Sequence, residues 1–163
     1  MTTTVPTRLQ LALNVEDVEA ATAFYSKLFG VGPAKVRPGY ANFAVAEPPL
    51  KLVLIENKGA ADSLNHLGVE LGSTDDVDAA QTRLAGEGLM SVDERGTTCC
   101  YATQDKFWVE TAPDGERWEF YTVLADSQTF FAVDEVEQAA CCGAGATAAD
   151  DADTAPEKSA ACC

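Results

Sequence analysis

Leu9-Gln10-Leu11-Ala12-Leu13-Asn14-Val15 and Asn65-His66-Leu67-Gly68-Val69-Glu70-Leu71 open two copies of one pattern offset by 56 residues. This internal repeat constrains the fold more than any other feature of the chain. Each opening alternates like a strand. Residues 16–29 follow the first as an amphipathic helix with Val18, Ala21, Phe24, Tyr25 and Leu28 on one face, stopped by Gly30 and Gly32. Strands are predicted over 34–37, 40–46 and 50–56, punctuated by Gly39 and Pro48-Pro49. In the second copy a helix is predicted over 75–85, with Val77, Ala80 and Leu84 inward. Strands are predicted over 88–93, 98–103, 107–111 and 117–123, the last two joined at Pro113-Asp114-Gly115. The expectation is an α+β domain over residues 1–125, built of paired βαβββ modules at about 8–57 and 64–124.

A length of 163 residues suits one such domain plus an appendage. No run approaches the roughly 18 consecutive apolar residues of a membrane helix, and the N-terminus lacks the layout of a secretion signal. A soluble, cytoplasmic protein is expected, with no membrane partner. Eleven lysines and arginines against 26 acids give a net charge of −15, a field that repels nucleic acid. The net charge is −8 through residue 125 and −7 beyond it. Residues 126–163 are acidic and rich in alanine and cysteine. From residue 139 onward they offer no aromatic or large aliphatic side chain, too little to offset the entropy of ordering, so a flexible tail is expected.

The six cysteines fall as three adjacent pairs, Cys99-Cys100, Cys141-Cys142 and Cys162-Cys163. That is no disulfide framework, because neighbouring cysteines close only a strained ring with each other. Reduced thiols that chelate one soft atom are the better reading. His66 is the only histidine, which excludes zinc fingers and His-rich metal sites.

Over about residues 8–124 this arrangement resembles the vicinal oxygen chelate superfamily, which includes glyoxalase, extradiol dioxygenases and fosfomycin-resistance proteins. The resemblance implies modules that curl their sheet around a shared metal cup, with ligands on the first strand of each module and the last strand of the second. Those positions hold Gln10, His66 and Glu119. Gln10 and His66 are equivalent under the repeat, so pseudo-twofold symmetry aims both at one point. Glu119 alternates with large aromatics in Arg117-Trp118-Glu119-Phe120-Tyr121, where an inward carboxylate calls for a cation. Imidazole, carboxylate and amide oxygen suit a divalent ion with open positions, the pattern of non-haem Fe(II) oxygenases, although other divalent metals can occupy such a site in a purified sample.

Thr97-Thr98-Cys99-Cys100-Tyr101 carries the second signal. Two thiolates can displace the hydroxyls of a trivalent arsenical and leave its carbon substituent as the third group. On a regular strand the two sulfurs would point to opposite faces, so the chelate needs a bulge or loop. Gly96 and the polar stretch Thr103-Gln104-Asp105-Lys106 suggest a loop here. Together with Phe24-Tyr25-Ser26-Lys27-Leu28-Phe29-Gly30, Pro49-Leu50-Lys51-Leu52-Val53-Leu54-Ile55-Glu56 and Trp118-Glu119, these residues resemble the ArsI-type organoarsenical carbon–arsenic lyases and their relatives, the CadI-like cadmium-induced proteins. That resemblance implies Fe(II)- and O₂-dependent cleavage of trivalent methyl- or arylarsenicals to arsenite. Gln10, His66 and Glu119 would hold the iron, and Cys99 and Cys100 the arsenic.

Two other classes stay open on the residues alone. A non-enzymatic cadmium- or arsenite-binding protein needs only thiol pairs. A glyoxalase or fosfomycin-resistance-type enzyme needs the metal cup and has no task for Cys99-Cys100. Either a monomer or a homodimer can close the cup.

Overall fold

The computed structural model describes residues 7–61 and 63–131. The first module comprises β1 (Arg8–Val15), α1 (Val18–Phe29), β2 (Lys35–Arg37), β3 (Tyr40–Val45) and β4 (Leu50–Glu56). The second comprises β5 (Ser63–Glu70), α2 (Thr74–Gly86), β6 (Val92–Cys99), β7 (Ala102–Val109) and β8 (Trp118–Asp126). All eight strands form one mixed sheet in the order β2-β3-β4-β1-β5-β8-β7-β6. Each module contributes the same local order, and the two meet where β1 pairs antiparallel with β5. No helix among the described residues is long and apolar enough to cross a membrane.

Local chemistry sets the helix limits. α1 begins after Asp17, whose carboxylate accepts the main-chain N–H groups of Glu19 and Ala20 at 2.9 Å, and it ends at Gly30 with φ +68°. α2 begins after Ser73 and carries Asp75 and Asp76 in its first turn, where the helix dipole favours negative charge. Both helices cover one face of the sheet. Val18, Phe43, Leu52 and Leu54 form the core under α1, and Val77, Leu84, Phe107 and Val109 the core under α2. Each such buried side chain contributes about 1.5–3 kcal/mol.

The other face carries buried polar groups, among them Gln10, Asn42, His66, Gln104, Lys106 and Glu119. Along β1 the two faces alternate: Gln10, Ala12 and Asn14 are buried on this side, while Leu11, Leu13 and Val15 pack toward α1. A face lined this way buries polar groups only where they satisfy one another or a ligand.

Register places the repeat in space. Across β1 and β5, Gln10 stands opposite Gly68 and Ala12 opposite His66. The 56-residue offset carries one pair into the other, so a local twofold axis runs between them. Gly68 in turn stands opposite Glu119 on β8, as Ala12 stands opposite Val53 on β4. Val53 is thus the first-module counterpart of Glu119.

Gly68 makes the close approach possible. A Cβ there would lie 3.1 Å from the Glu119 carbonyl oxygen, 3.2 Å from Gln10 Nε2 and 3.3 Å from Gln10 Cβ. Gly68→Ala is expected to destabilise the fold by about 1–3 kcal/mol through overpacking, seen as a lower urea midpoint. An unchanged midpoint would show that Gln10 and β8 yield freely.

The second module departs from expectation at three places. Residues 92–99 form one strand, with a register shift between Glu94 and Thr97, where the expected elements were 88–93 and 98–103. Gly96 has φ +59° at that irregularity, and its N–H donates to Asp105 Oδ1. The expected strand over 98–103 is instead the hairpin joining β6 to β7: Cys99 pairs with Ala102, and Cys100 and Tyr101 have φ of 55° and 61°. Positive φ at both central residues is what a two-residue hairpin loop requires. The polar stretch 103–106 belongs to β7 and not to a loop, with Gln104 and Lys106 turned inward. Finally, the chain stays packed beyond residue 125. Ser127 N–H donates to the Tyr101 carbonyl at 2.9 Å, Phe131 bridges to Cys99, and Phe130 packs edge-on against Tyr40 and Tyr101. The rest of the expected tail, with Cys141, Cys142, Cys162 and Cys163, lies outside the described residues.

Candidate functional site

β1, β5 and β8 bring Gln10, His66 and Glu119 into direct contact. Gln10 Nε2 lies 2.9 Å from His66 Nε2 and donates to Glu119 Oε2 at 3.0 Å. Those two acceptors are themselves 3.4 Å apart. All three side chains are at least nine-tenths buried. The Tyr121 hydroxyl donates to Gln10 Oε1 at 2.5 Å and holds the other end of the amide.

The proton position on His66 follows from its neighbours. Asn65 Nδ2 donates to Asn14 Oδ1 at 3.0 Å, which turns Asn65 Oδ1 toward His66 Nδ1 at 2.7 Å. Nδ1 therefore carries the hydrogen, and the Nε2 lone pair faces Gln10 and Glu119. An imidazole oriented by a bond from its far nitrogen is how proteins present histidine to a cation.

Lys106 completes the electrostatics. Its ammonium, fully buried, lies 3.1 Å from Glu119 Oε1 and 3.3 Å from Glu94 Oε2, and 5.1 Å from the centre of the Trp108 ring. Burial pushes the Glu119 carboxyl up, but the adjoining Lys106 charge and the hydrogen bond from Gln10 Nε2 outweigh it and hold the carboxyl below the usual carboxylate range. Glu119 is thus a carboxylate with one oxygen taken by Lys106 and the other aimed at His66 and Gln10. Trp108 meets the His66 ring edge-on at 5.2 Å.

The donor set fits a divalent cation. His66 Nε2 and Glu119 Oε2 converge on one electropositive group, at present the Gln10 NH₂, and rotation of that amide would present its oxygen as a third donor. No group of three histidine, cysteine or acidic side chains gathers anywhere among the described residues, and the cluster here has only two such members, its third being an amide.

The thiols come together by a different device. With φ +55° at Cys100, the hairpin turns both sulfurs the same way, 3.2 Å apart. At bond lengths of about 2.3 Å, as for thiolate on zinc, sulfurs so placed subtend roughly a right angle at a shared atom, which a pyramidal three-coordinate centre accepts. Holding two non-glycine residues in the left-handed region costs about 1–3 kcal/mol each. Tertiary contacts offset it: the Tyr101 ring packs on Tyr40 and Phe130, and its carbonyl accepts from Lys35 Nζ at 2.9 Å. Lys35 is anchored in turn by Asp126. Cys99 is buried and Cys100 partly exposed, and neither forms a disulfide among the described residues.

A cavity of about 180 Å³ connects the two features, its wall including Cys100, Gln104, Gln10, His66, Glu119 and Tyr121. Among the aromatics, Tyr121 lines the cavity, Trp108 meets the His66 ring and Tyr101 buttresses the turn. Phe43 and Phe107 belong to the helix-side cores. Sequence reasoning missed Gln104, Lys106, Asn65 and Gly68. The unbroken polar run Thr103-Gln104-Asp105-Lys106 gave no alternation by which the first two could have been found.

The family model of the Glyoxalase/Bleomycin resistance protein/Dioxygenase superfamily matches residues 8–120. The cadmium-induced protein CadI of Mycobacterium tuberculosis (strain ATCC 25618 / H37Rv) is 66% identical over 123 residues, spanning 76% of this chain and 80% of that protein. A trivalent organoarsenical cleaving enzyme of Thermomonospora curvata is 59% identical over 136 residues, spanning 83% of this chain and 87% of that protein. Among solved structures, methylmalonyl-CoA epimerase from Mycobacterium tuberculosis is similar in fold, with a TM-score of 0.50 at 17% identity, covering 76% of this chain and 91% of that one.

Proposed function

The chain belongs to the Glyoxalase/Bleomycin resistance protein/Dioxygenase superfamily, and on that premise we propose that it cleaves the carbon–arsenic bond of trivalent organoarsenicals, methylarsenite and aryl arsenites, and releases arsenite. One observation carries the reading: Cys100, whose sulfur lies 3.2 Å from that of Cys99, lines the same cavity as Gln10, His66 and Glu119. A relative at 59% identity bears the name of that activity.

Cys99 and Cys100 exchange their two S–H protons for bonds to arsenic, expelling both hydroxyls of the arsenical as water and leaving the carbon substituent as the third group. Fixed on the turn, that substituent faces the cavity, so a dilute encounter becomes an oriented one. Gln10, His66 and Glu119 would hold Fe(II), with Lys106 restraining Glu119 and Asn65 restraining His66. Fe(II) bound there supplies O₂ activation, the oxidising chemistry that the cleavage consumes. Tyr121 and Trp108 wall the site against bulk water. The protein is proposed to act in the cytoplasm as a monomer or homodimer.

Sequestration of cadmium or arsenite is the second reading, favoured by the CadI name at 66% identity. The buried polar cluster argues against it, because thiols alone would serve and six polar groups need not be hidden. The deciding assay mixes metal-free protein with Fe(II), methylarsenite and air and measures inorganic arsenite. Arsenite is expected only when all three are supplied. Its appearance without iron or oxygen, or its absence under every condition, overturns the proposal.

A further inference from the structure

Gln104 stands on β7 between the cysteine turn and Lys106, 6% exposed, on the wall of the cavity that holds Cys100, His66 and Glu119. Its Oε1 is fully withdrawn from solvent and has no hydrogen-bond partner among the described residues. Arg8, Arg37 and Glu70 also carry such an atom, and each of them sits in an ion pair. Nearby amides are satisfied: Gln10 is engaged at both ends and Asn42 donates to the Tyr40 hydroxyl at 2.8 Å. A buried amide oxygen left without a donor is satisfied when rotation of the terminal amide turns it toward a donor brought into the cavity by a ligand.

We propose that Gln104 is a specificity-determining residue, its Oε1 accepting a hydrogen bond from an O–H or N–H of the arsenical held on Cys99 and Cys100. The inference rests on the functional reading above. Two sources can supply the donor. Arsenite loses two hydroxyls as water to the thiols and keeps the third on arsenic. An aminophenyl arsenite loses both hydroxyls and keeps its donor on the ring. A cavity of about 180 Å³ exceeds the roughly 150 Å³ that suffices to bind benzene, so a ring fits. Methyl and unsubstituted phenyl arsenites offer no donor once chelated.

The test is calorimetric titration of metal-free protein with arsenite, 4-aminophenylarsenite, methylarsenite and phenylarsenite, comparing the parent chain with Gln104→Met and Gln104→Glu. Gln104→Met is expected to weaken at least one donor-bearing ligand about tenfold, leaving both donor-free ligands within about twofold, and Gln104→Glu to restore the loss. A loss confined to arsenite assigns the donor to the arsenic hydroxyl, and one confined to 4-aminophenylarsenite assigns it to the ring. Equal loss for all four ligands, or none for either donor-bearing one, overturns the proposal. Should the parent chain bind no donor-free arsenical, the chelate reading itself fails, an outcome recognisable because Gln104 plays no part in it.

Discussion

Cys99→Ser and Cys100→Ser are each expected to lower kcat/KM for arsenite release from methylarsenite by about 10³-fold. Joining two binding groups at fixed separation raises avidity by about 10²–10⁴ over one group alone, and the 3.2 Å sulfur separation is such a join. With one sulfur gone, arsenic keeps a hydroxyl and swings on a single bond, so the carbon substituent loses its orientation. The substitutions should cost little stability, about 1 kcal/mol for placing a hydroxyl at buried position 99. Cobalt(II) titration should show the Gln10, His66 and Glu119 cluster undisturbed in both variants. Retention of full activity in either would remove that sulfur from the reaction.

Lys106→Met should be among the most destabilising single changes, at about 3–5 kcal/mol in urea unfolding, because it strands Glu119 as a buried charge without its cation. Methionine fills most of the volume, so the loss reports charge and not a cavity. Lys106 is fully buried and 3.1 Å from Glu119 Oε1. Adding Glu119→Gln to Lys106→Met should recover a large part of the loss, a coupling that independent sites would not show. A single-variant cost below about 1 kcal/mol, or simple additivity in the pair, would mean that Glu119 is held by its other neighbours.

Why some of this was readable beforehand and some was not follows from the range of the forces involved. The strand–helix order of each module rests on local alternation and on caps such as Asp17 and Gly30, all within a few residues. Gln10 and His66 could be paired because the repeat equates them before any contact is known, and Glu119 stood out as an acid among aromatics. Lys106 looked like loop because a buried lysine makes sense only beside Glu119 and Glu94, which are 13 and 12 residues away in sequence. Gly68 looked like any strand glycine until β1 and β8 flanked it.

The amino-acid order by itself determined the duplicated architecture and which residue types could do chemistry, because periodicity and repetition act along the chain. Tertiary structure alone decided three things: the register that sets Gln10, Gly68 and Glu119 in one row, the left-handed turn that swings two neighbouring sulfurs together, and the open acceptor on Gln104. Each depends on which distant strand lies alongside, and that is settled only when helix-side cores and polar face are buried at once.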